Sequence, residues 1–370
     1  MSERFRFGLI GCGEISVQTS KAVLASQRCQ LVHCMDVRKD LAADLAARHG
    51  AKATDRLEEL LADKDVQAVI LACPHAVHAP AAIEAAKAGK HVLGEKPMAC
   101  TLTEADAMIA AADKAGVQLS LLFPMRYMFS VQKARELVAA GAIGRVTAYQ
   151  FHAMACKKPS YWEGGYTGRC KSDWRKYLSQ SGGGILIMNL VHNLDAFVYI
   201  LDPRPRRIYA EYSTLATQVE VEDTLSFVMR LEGGAAGPGA VAPGAIVSLD
   251  AASAAPGKES YGDRIYGDRG QLAFIRTAFG TQTVAAGRPG LGLYVEESWN
   301  GLAAEKWHDF PPPEGYPNSR LACLDAFAEA IQEGREAPIP GPQGRRSLEI
   351  IRGAYLSMQR GRPMEFPVKE

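Results

Sequence analysis

One charged residue stands where a buried strand should end. Lys96, in the stretch HVLGEKPMAC, follows an apolar run and is flanked by Glu95 and Pro97. A lysine there either carries its stem along apolar surface to reach water or takes part in chemistry. A second pattern lies near the N-terminus, where FRFGLI leads into Gly11-Cys12-Gly13-Glu14-Ile15-Ser16 and QLVHCMD ends in Asp36, 25 positions after Gly11. Glycines at that spacing let backbone approach a pyrophosphate. A following helix offers free N–H groups and positive potential, and an acid ending the second strand accepts ribose hydroxyls. Asp36 favours NAD, because a carboxylate repels a 2′-phosphate; Arg38 keeps NADP open.

Such groups need a parallel sheet to hold them. A helix is expected from about Ile15 to Arg28, then a strand over 30–36. AVILACP (68–74) has the continuous apolar character of a strand buried on both faces. Pro80 is expected at a helix start and Gly89 at its stop, with His78 as a cap. HVLGEKP is the next strand, Thr101 and Glu104 form a capping-box pattern, and VQLSLLF (117–123) closes the sheet. This places Lys96 and Cys73-Pro74-His75 at the carboxyl ends of strands, where open α/β sheets bind ligands. The expected cofactor contacts are Gly11, Gly13, Glu14 and Ile15 at the loop, and Asp36, Val37 and Arg38 after the second strand. Cys73, Pro74, His75 and His78 follow the AVILACP strand, and Glu95, Lys96 and Pro97 end the HVLGEKP strand.

Composition sets the outer bounds. A chain of 370 residues is long enough for two domains, and 47% hydrophobic with 22% charged residues is ordinary for a globular enzyme. A net charge of +1 gives no general attraction to nucleic acid or an anionic membrane. No run of 18 apolar residues and no leader pattern is read, so no membrane span and a cytoplasmic location are expected. The eight cysteines form no C-x-x-C pair and read as free thiols. His75 and His78 lack a third ligand nearby, so no metal site is expected.

Four segments, GLIGCGEI, CPHAVHAPAAIEAAKAGKHVLGEKPMA, RELVAAGAIGRV and SGGGILIMNLVHNLDAF, together resemble the Gfo/Idh/MocA oxidoreductases. The resemblance runs from about residue 5 to RPMEFP near the C-terminus. It implies an α/β plus α+β protein: an NAD(P)-binding Rossmann domain over 1–123 and a substrate-binding and oligomerisation domain over 124–370. The second domain is an α/β domain with a large, mostly antiparallel sheet. It also implies NAD or NADP as cofactor, a sugar or cyclitol as substrate, and a homodimer or homotetramer.

In the resemblance Lys96 handles the hydroxyl proton during hydride transfer. Partial desolvation beside a positively charged ring should bring its pKa toward neutrality, which suits that role. The helix expected over 185–201 carries Asn189, His192 and Asp195 on one broad face. The family pattern gives its histidine a bond to the reacting hydroxyl, and many members place an aspartate four residues earlier; here that position is Met188. His192 is therefore the expected proton partner of Lys96, with Asn189 beside it, while a bland alternative has Asp195 satisfying a buried His192. Arg126, in FPMRYM, stands where the family has N-x-R-[FY]; it either reaches the cofactor or packs in the core.

Residues 157–184 are the expected substrate loop, with Tyr161, Trp162, Tyr166 and Trp174 available to stack on a sugar face. Arg169 and Arg175 belong to a group of six cations against two acids there, a local excess of four. An anionic sugar is one reading of that excess; a solvated basic loop or a subunit contact is the other. EGGAAGPGAVAPG (232–244) reads as a flexible hairpin insertion. Two other functions fit the same scaffold: a redox-neutral, NAD-dependent glycosidase with Tyr161 or Tyr166 as base, and a non-catalytic sugar- or NAD-sensing regulator, which would have little use for a positioned lysine.

Overall fold

Apolar β-branched runs alternating with amphipathic helices build the first unit of the computed structural model. The structure describes residues 3–234, 237–256, 260–277, 281–282 and 290–370. The chain divides into two compact units, Met1–Pro124 with Lys158–Gly184 and Pro317–Leu348, and Met125–Lys157 with Ile185–Tyr316 and Glu349–Glu370. Residues 158–184 and 317–348, placed by the sequence reading in a contiguous second domain, thus pack with the first unit.

In that unit β1 (Phe5–Ile10), β2 (Cys29–Met35), β3 (Lys52–Thr54), β4 (Ala68–Leu71), β5 (His91–Gly94) and β6 (Leu119–Leu121) form one sheet. All pairings are parallel, in the order β3-β2-β1-β4-β5-β6. The connections are α1 (Glu14–Ala25), α2 (Lys39–His49), α3 (Leu57–Ala62), α4 (His75–Lys87) and α5 (Leu102–Ala115). This is the doubly wound order, and the strand sequence reverses between β1 and β4, which opens a crevice at their carboxyl ends. Every residue of β4 is buried, as its apolar run requires. Thr101 and Glu104 make the expected capping box on α5. Helix α1 stops earlier than expected, because the Ser26 hydroxyl accepts from the Arg28 and Cys29 N–H groups and turns the chain. From the C-terminal part, Ser319–Gln332 returns to this unit, and Phe327 stacks on Phe7 at 5.9 Å.

The second unit is built on a sheet of β7 (Val146–Met154), β8 (Pro205–Ser213), β9 (Thr224–Leu231), β10 (Val241–Ala252) and β11 (Ser260–Gly267). It continues through β12 (Gly270–Thr277), β13 (Thr281–Gln282), β14 (Leu291–Val295), β15 (Lys306–Phe310) and β16 (Met364–Glu365). The order is β15-β14-β12-β11-β7-β10-β9-β8-β16, with β13 on β12. Only β7 and β10 run parallel among these described strands. Burial alternates along β9, so one face meets a core in which Tyr149, Phe151 and Phe197 touch edge and face. Strand β10 takes in Val241–Gly244 from the expected hairpin insertion, of which residues 235–236 lie outside the described residues. The stretch Leu178–Leu201 is apolar and long enough by composition to pass for a membrane span, and 83% of its most apolar window is buried inside the protein.

Candidate active site

Gly11 holds a left-handed φ of +91°, and a Cβ there would meet the Ala72 and Cys73 backbone at 2.7 Å. Only glycine lets β1 turn this close to the end of β4. Helix α1 then begins at Glu14 with Gly13 as a cap that has no side chain, leaving its first N–H groups for an anion. Asp36 is fixed at the rim of the loop: one oxygen accepts from Cys12 N–H at 2.7 Å and the other from Arg38 N–H at 2.9 Å. The Arg38 guanidinium instead pairs with Asp40 at 2.7 Å, on the exposed side. A bare helix start, a glycine that admits backbone and an anchored carboxylate fit a dinucleotide. Gly11, Gly13, Glu14 and Ile15 would hold its pyrophosphate and Asp36 its ribose.

Lys96 follows β5 and is half-buried. Burial pushes its ammonium down to about 8; Glu95 opposes this, and the Arg320 and Arg175 cations assist. Glu95 is itself buried and accepts from Arg320, which also donates to the Thr19 hydroxyl at 2.9 Å. The two buried histidines hold the neighbouring strand ends. His78 lies 2.8 Å from the Pro97 carbonyl and 3.0 Å from that of Cys73, and burial lowers its pKa. His75 meets the Ser181 carbonyl at 2.7 Å and the edge of Trp174 at 4.6 Å, and burial holds its pKa well below the usual range. Helix α4 starts at His75 rather than at Pro80, so Pro80 lies inside it and His78 is a brace between β4 and β5 rather than a cap.

Residues 158–184 bring two sets of groups to this unit. Thr167 donates from its N–H and hydroxyl to Glu14 at 2.7 and 2.5 Å. Arg169 donates to the Cys12 carbonyl at 3.0 Å and pairs with Asp44 at 2.6 Å. Arg169, expected at the substrate, therefore sits on the dinucleotide loop. The second set is aromatic. Tyr161 contacts Trp162 at 5.2 Å and Tyr166 at 5.0 Å, and Arg175 lies over Tyr161 at 5.2 Å and over Trp174 at 4.7 Å.

The second unit holds the other predicted residues. A π-helical turn, Leu186–Leu190, runs into the α-helix Val191–Leu201. Glu222 fixes its start, accepting from Leu186 N–H at 3.0 Å and from the Tyr355 hydroxyl at 2.8 Å while its carbonyl takes Ile185 N–H. Asn189 and His192 are half-buried, whereas Asp195 is fully buried. Asp195 does not serve His192: its two oxygens accept from Arg126 Nε at 2.8 Å and Nη2 at 2.7 Å. The guanidinium expected at the cofactor is thus part of the core of the second unit. His192 and Asp195 stay three residues apart in the regular helix after the π turn, so it is the Arg126 guanidinium, not a change of helical phase, that claims Asp195.

Two residues escaped the sequence reading, Arg320 and Glu222. A buried Glu95 demands a cation, but nothing local says that it comes from 225 residues away. Among the described residues, no group of three His, Cys, Asp or Glu is placed to hold a metal ion.

A doubly wound sheet with a bare glycine loop and a desolvated lysine at its carboxyl edge defines a dinucleotide-dependent enzyme class. Residues 5–123 match the NAD-binding Rossmann-fold model of the GFO_IDH_MocA oxidoreductase family, and residues 131–273 match the C-terminal domain model of the same family. The chain belongs to this family of NAD-binding oxidoreductases. It is 31% identical over 232 residues to 1,5-anhydro-D-fructose reductase of Ensifer adhaerens, covering 62% of this chain and 66% of that protein. Myo-inositol 2-dehydrogenase of Thermotoga maritima is 29% identical, with 63% and 66% covered. These matches span just under two thirds of each relative's length. The WlbA dehydrogenase of Bordetella pertussis, in complex with NADH and UDP-GlcNAcA, superposes with a TM-score of 0.80 at 25% identity, covering 99% of this chain and 100% of that one.

Proposed function

We propose that this protein is an NAD-dependent dehydrogenase of a sugar or cyclitol. The observation that carries the reading is Lys96: a half-buried lysine after β5, brought down to about 8, in the same unit as the glycine loop. Bound NAD supplies a hydride acceptor for a carbinol carbon. The neutral Lys96 amine takes the hydroxyl proton in oxidation, and the ammonium returns it in reduction. Burial outweighs the pull of Glu95, itself paired with Arg320, toward the charged ammonium. The resemblance assigns His192 a share in the same proton transfer, and this part rests on the sequence. The carbohydrate-directed names of the relatives and the NADH complex of the WlbA neighbour support the substrate class and the cofactor.

Nicotinamide absorbance with NAD or NADP and a panel of inositols, aldoses, uronates and glycosides tests the proposal. Steady accumulation of reduced cofactor with one class supports it. Consumption of a glycoside with no net reduction replaces it with the redox-neutral glycosidase. The expected homodimer or homotetramer belongs to the same reading and is checked by light scattering. On the large sheet, Tyr209 and Val228 are paired in register and both exposed.

A further inference from the structure

The local excess of positive charge in residues 157–184 is not uniformly solvated. Arg169 is neutralised by Asp44 and Lys176 by Glu163, at 2.6 and 2.7 Å. Lys158 and Lys171 are exposed, and Lys157 is buried in the second unit. Both acids of the segment are engaged, Glu163 with Lys176 and Asp173 with the Tyr177 hydroxyl. Arg175 differs from the rest. Its guanidinium is half-buried, lies over two rings, and has no carboxylate partner among the described residues. In the same cluster, against Tyr161, Trp162 is 4% exposed and its indole N–H meets no acceptor among the described residues. Both groups are donors only. Neighbours that offered an acceptor would relieve a half-buried cation and an unsatisfied N–H, and none is found among the described residues. The cluster reaches the proton-transfer residue through Trp174, whose ring meets His75, while His78 beside it holds the Pro97 carbonyl.

We propose that Arg175 and Trp162 form a subsite for an anionic substituent of the sugar, a carboxylate or a phosphate. The proposal rests on the dehydrogenase reading for the sugar and its place near Lys96. The planar guanidinium offers two parallel N–H groups to such an anion, and the rings beneath it fix its plane. Selectivity follows from the missing acid: a neutral sugar leaves the guanidinium desolvated, an anionic one does not.

Isothermal titration of the NADH-loaded protein with D-glucuronate, glucose 6-phosphate and glucose tests this. One of the acids is expected to bind at least about tenfold more tightly than glucose, and which one distinguishes carboxylate from phosphate. Arg175→Gln should remove that advantage while leaving glucose within about threefold, and Arg175→Lys should restore part of it. Should Arg175→Gln fail to fold, raising NaCl on the unaltered protein serves instead, since the preference for the acid should shrink with salt and glucose should be unaffected. Equal affinity for acids and glucose, a salt-independent preference, or an equal loss for all three in Arg175→Gln overturns the subsite. The two readings fail separately. Acids that bind through Arg175 without any compound reducing NAD sink the dehydrogenase and keep the subsite; reduction without preference for an acid does the reverse.

Discussion

Arg126 and Arg175 are both withdrawn from water, yet one is closed and the other open. Arg126, in the second unit, spends its fork on both oxygens of the fully buried Asp195. Arg175, in the first, rests on aromatic rings and meets no acid among the described residues. Lys96 is half-buried near Glu95, and that carboxylate is bound to Arg320. Burial alone does not separate a structural charge from a working one; what separates them is whether the fold completes the charge's partners.

The sharpest way to break this contrast is at Lys96. Lys96→Met should lower turnover by about 10²–10⁴-fold while NAD affinity, measured by fluorescence titration, stays within a few-fold. In the unaltered protein kcat/KM for oxidation should rise with pH and level off above about 8, because the neutral amine is the active form and its pKa lies there. Normal turnover in the variant would place Lys96 among the structural charges.

Asp195→Ala asks the converse question of a closed pair. It strands a buried guanidinium and should cost about 3–5 kcal/mol in urea denaturation. A loss below 1 kcal/mol would mean that closure is not what holds Arg126. A third pair shows that closure is not peculiar to the second unit. Asp63, almost buried, accepts from Lys52 and His33; these bonds and the Asp65 N–H outweigh burial, which acts the other way, and hold its carboxyl at about 2. Its folded pKa is depressed, so its contribution is full above pH 4 and lost as pH falls toward 2. Asp63→Asn should therefore cost about 2 kcal/mol at neutral pH and little near pH 2. At the small end, Lys87 pairs with Glu84 on an exposed helix surface, and Lys87→Ala should shift stability by no more than about 0.5 kcal/mol. A larger shift would show that exposed pairs count as buried ones do.

Much of the first unit was legible because its signals are local. Gly11, Asp36, the apolar run before Cys73 and the Thr101–Glu104 box each act within a short stretch, and period and capping report them directly. The partners of charges were not legible. Asp195 is a plausible support for His192 by spacing, but its partner is Arg126, 69 residues away, and no local pattern announces that pairing. Arg169 was grouped with Arg175 by composition, yet Asp44 and the Cys12 carbonyl draw it to the glycine loop while Arg175 stays with the rings. Sequence supplied the inventory of cations; only three-dimensional closure sorts them.

The segment that carries both arginines is fastened at two places. Thr167 and Arg169 tie it to Glu14, Cys12 and Asp44, and a few residues on Trp174 leans on His75. An element shared in this way is a coupling device. Any free energy that a ligand at Arg175 spends in settling the segment alters binding at the glycine loop, and reciprocity requires cofactor binding to alter the first affinity by the same factor.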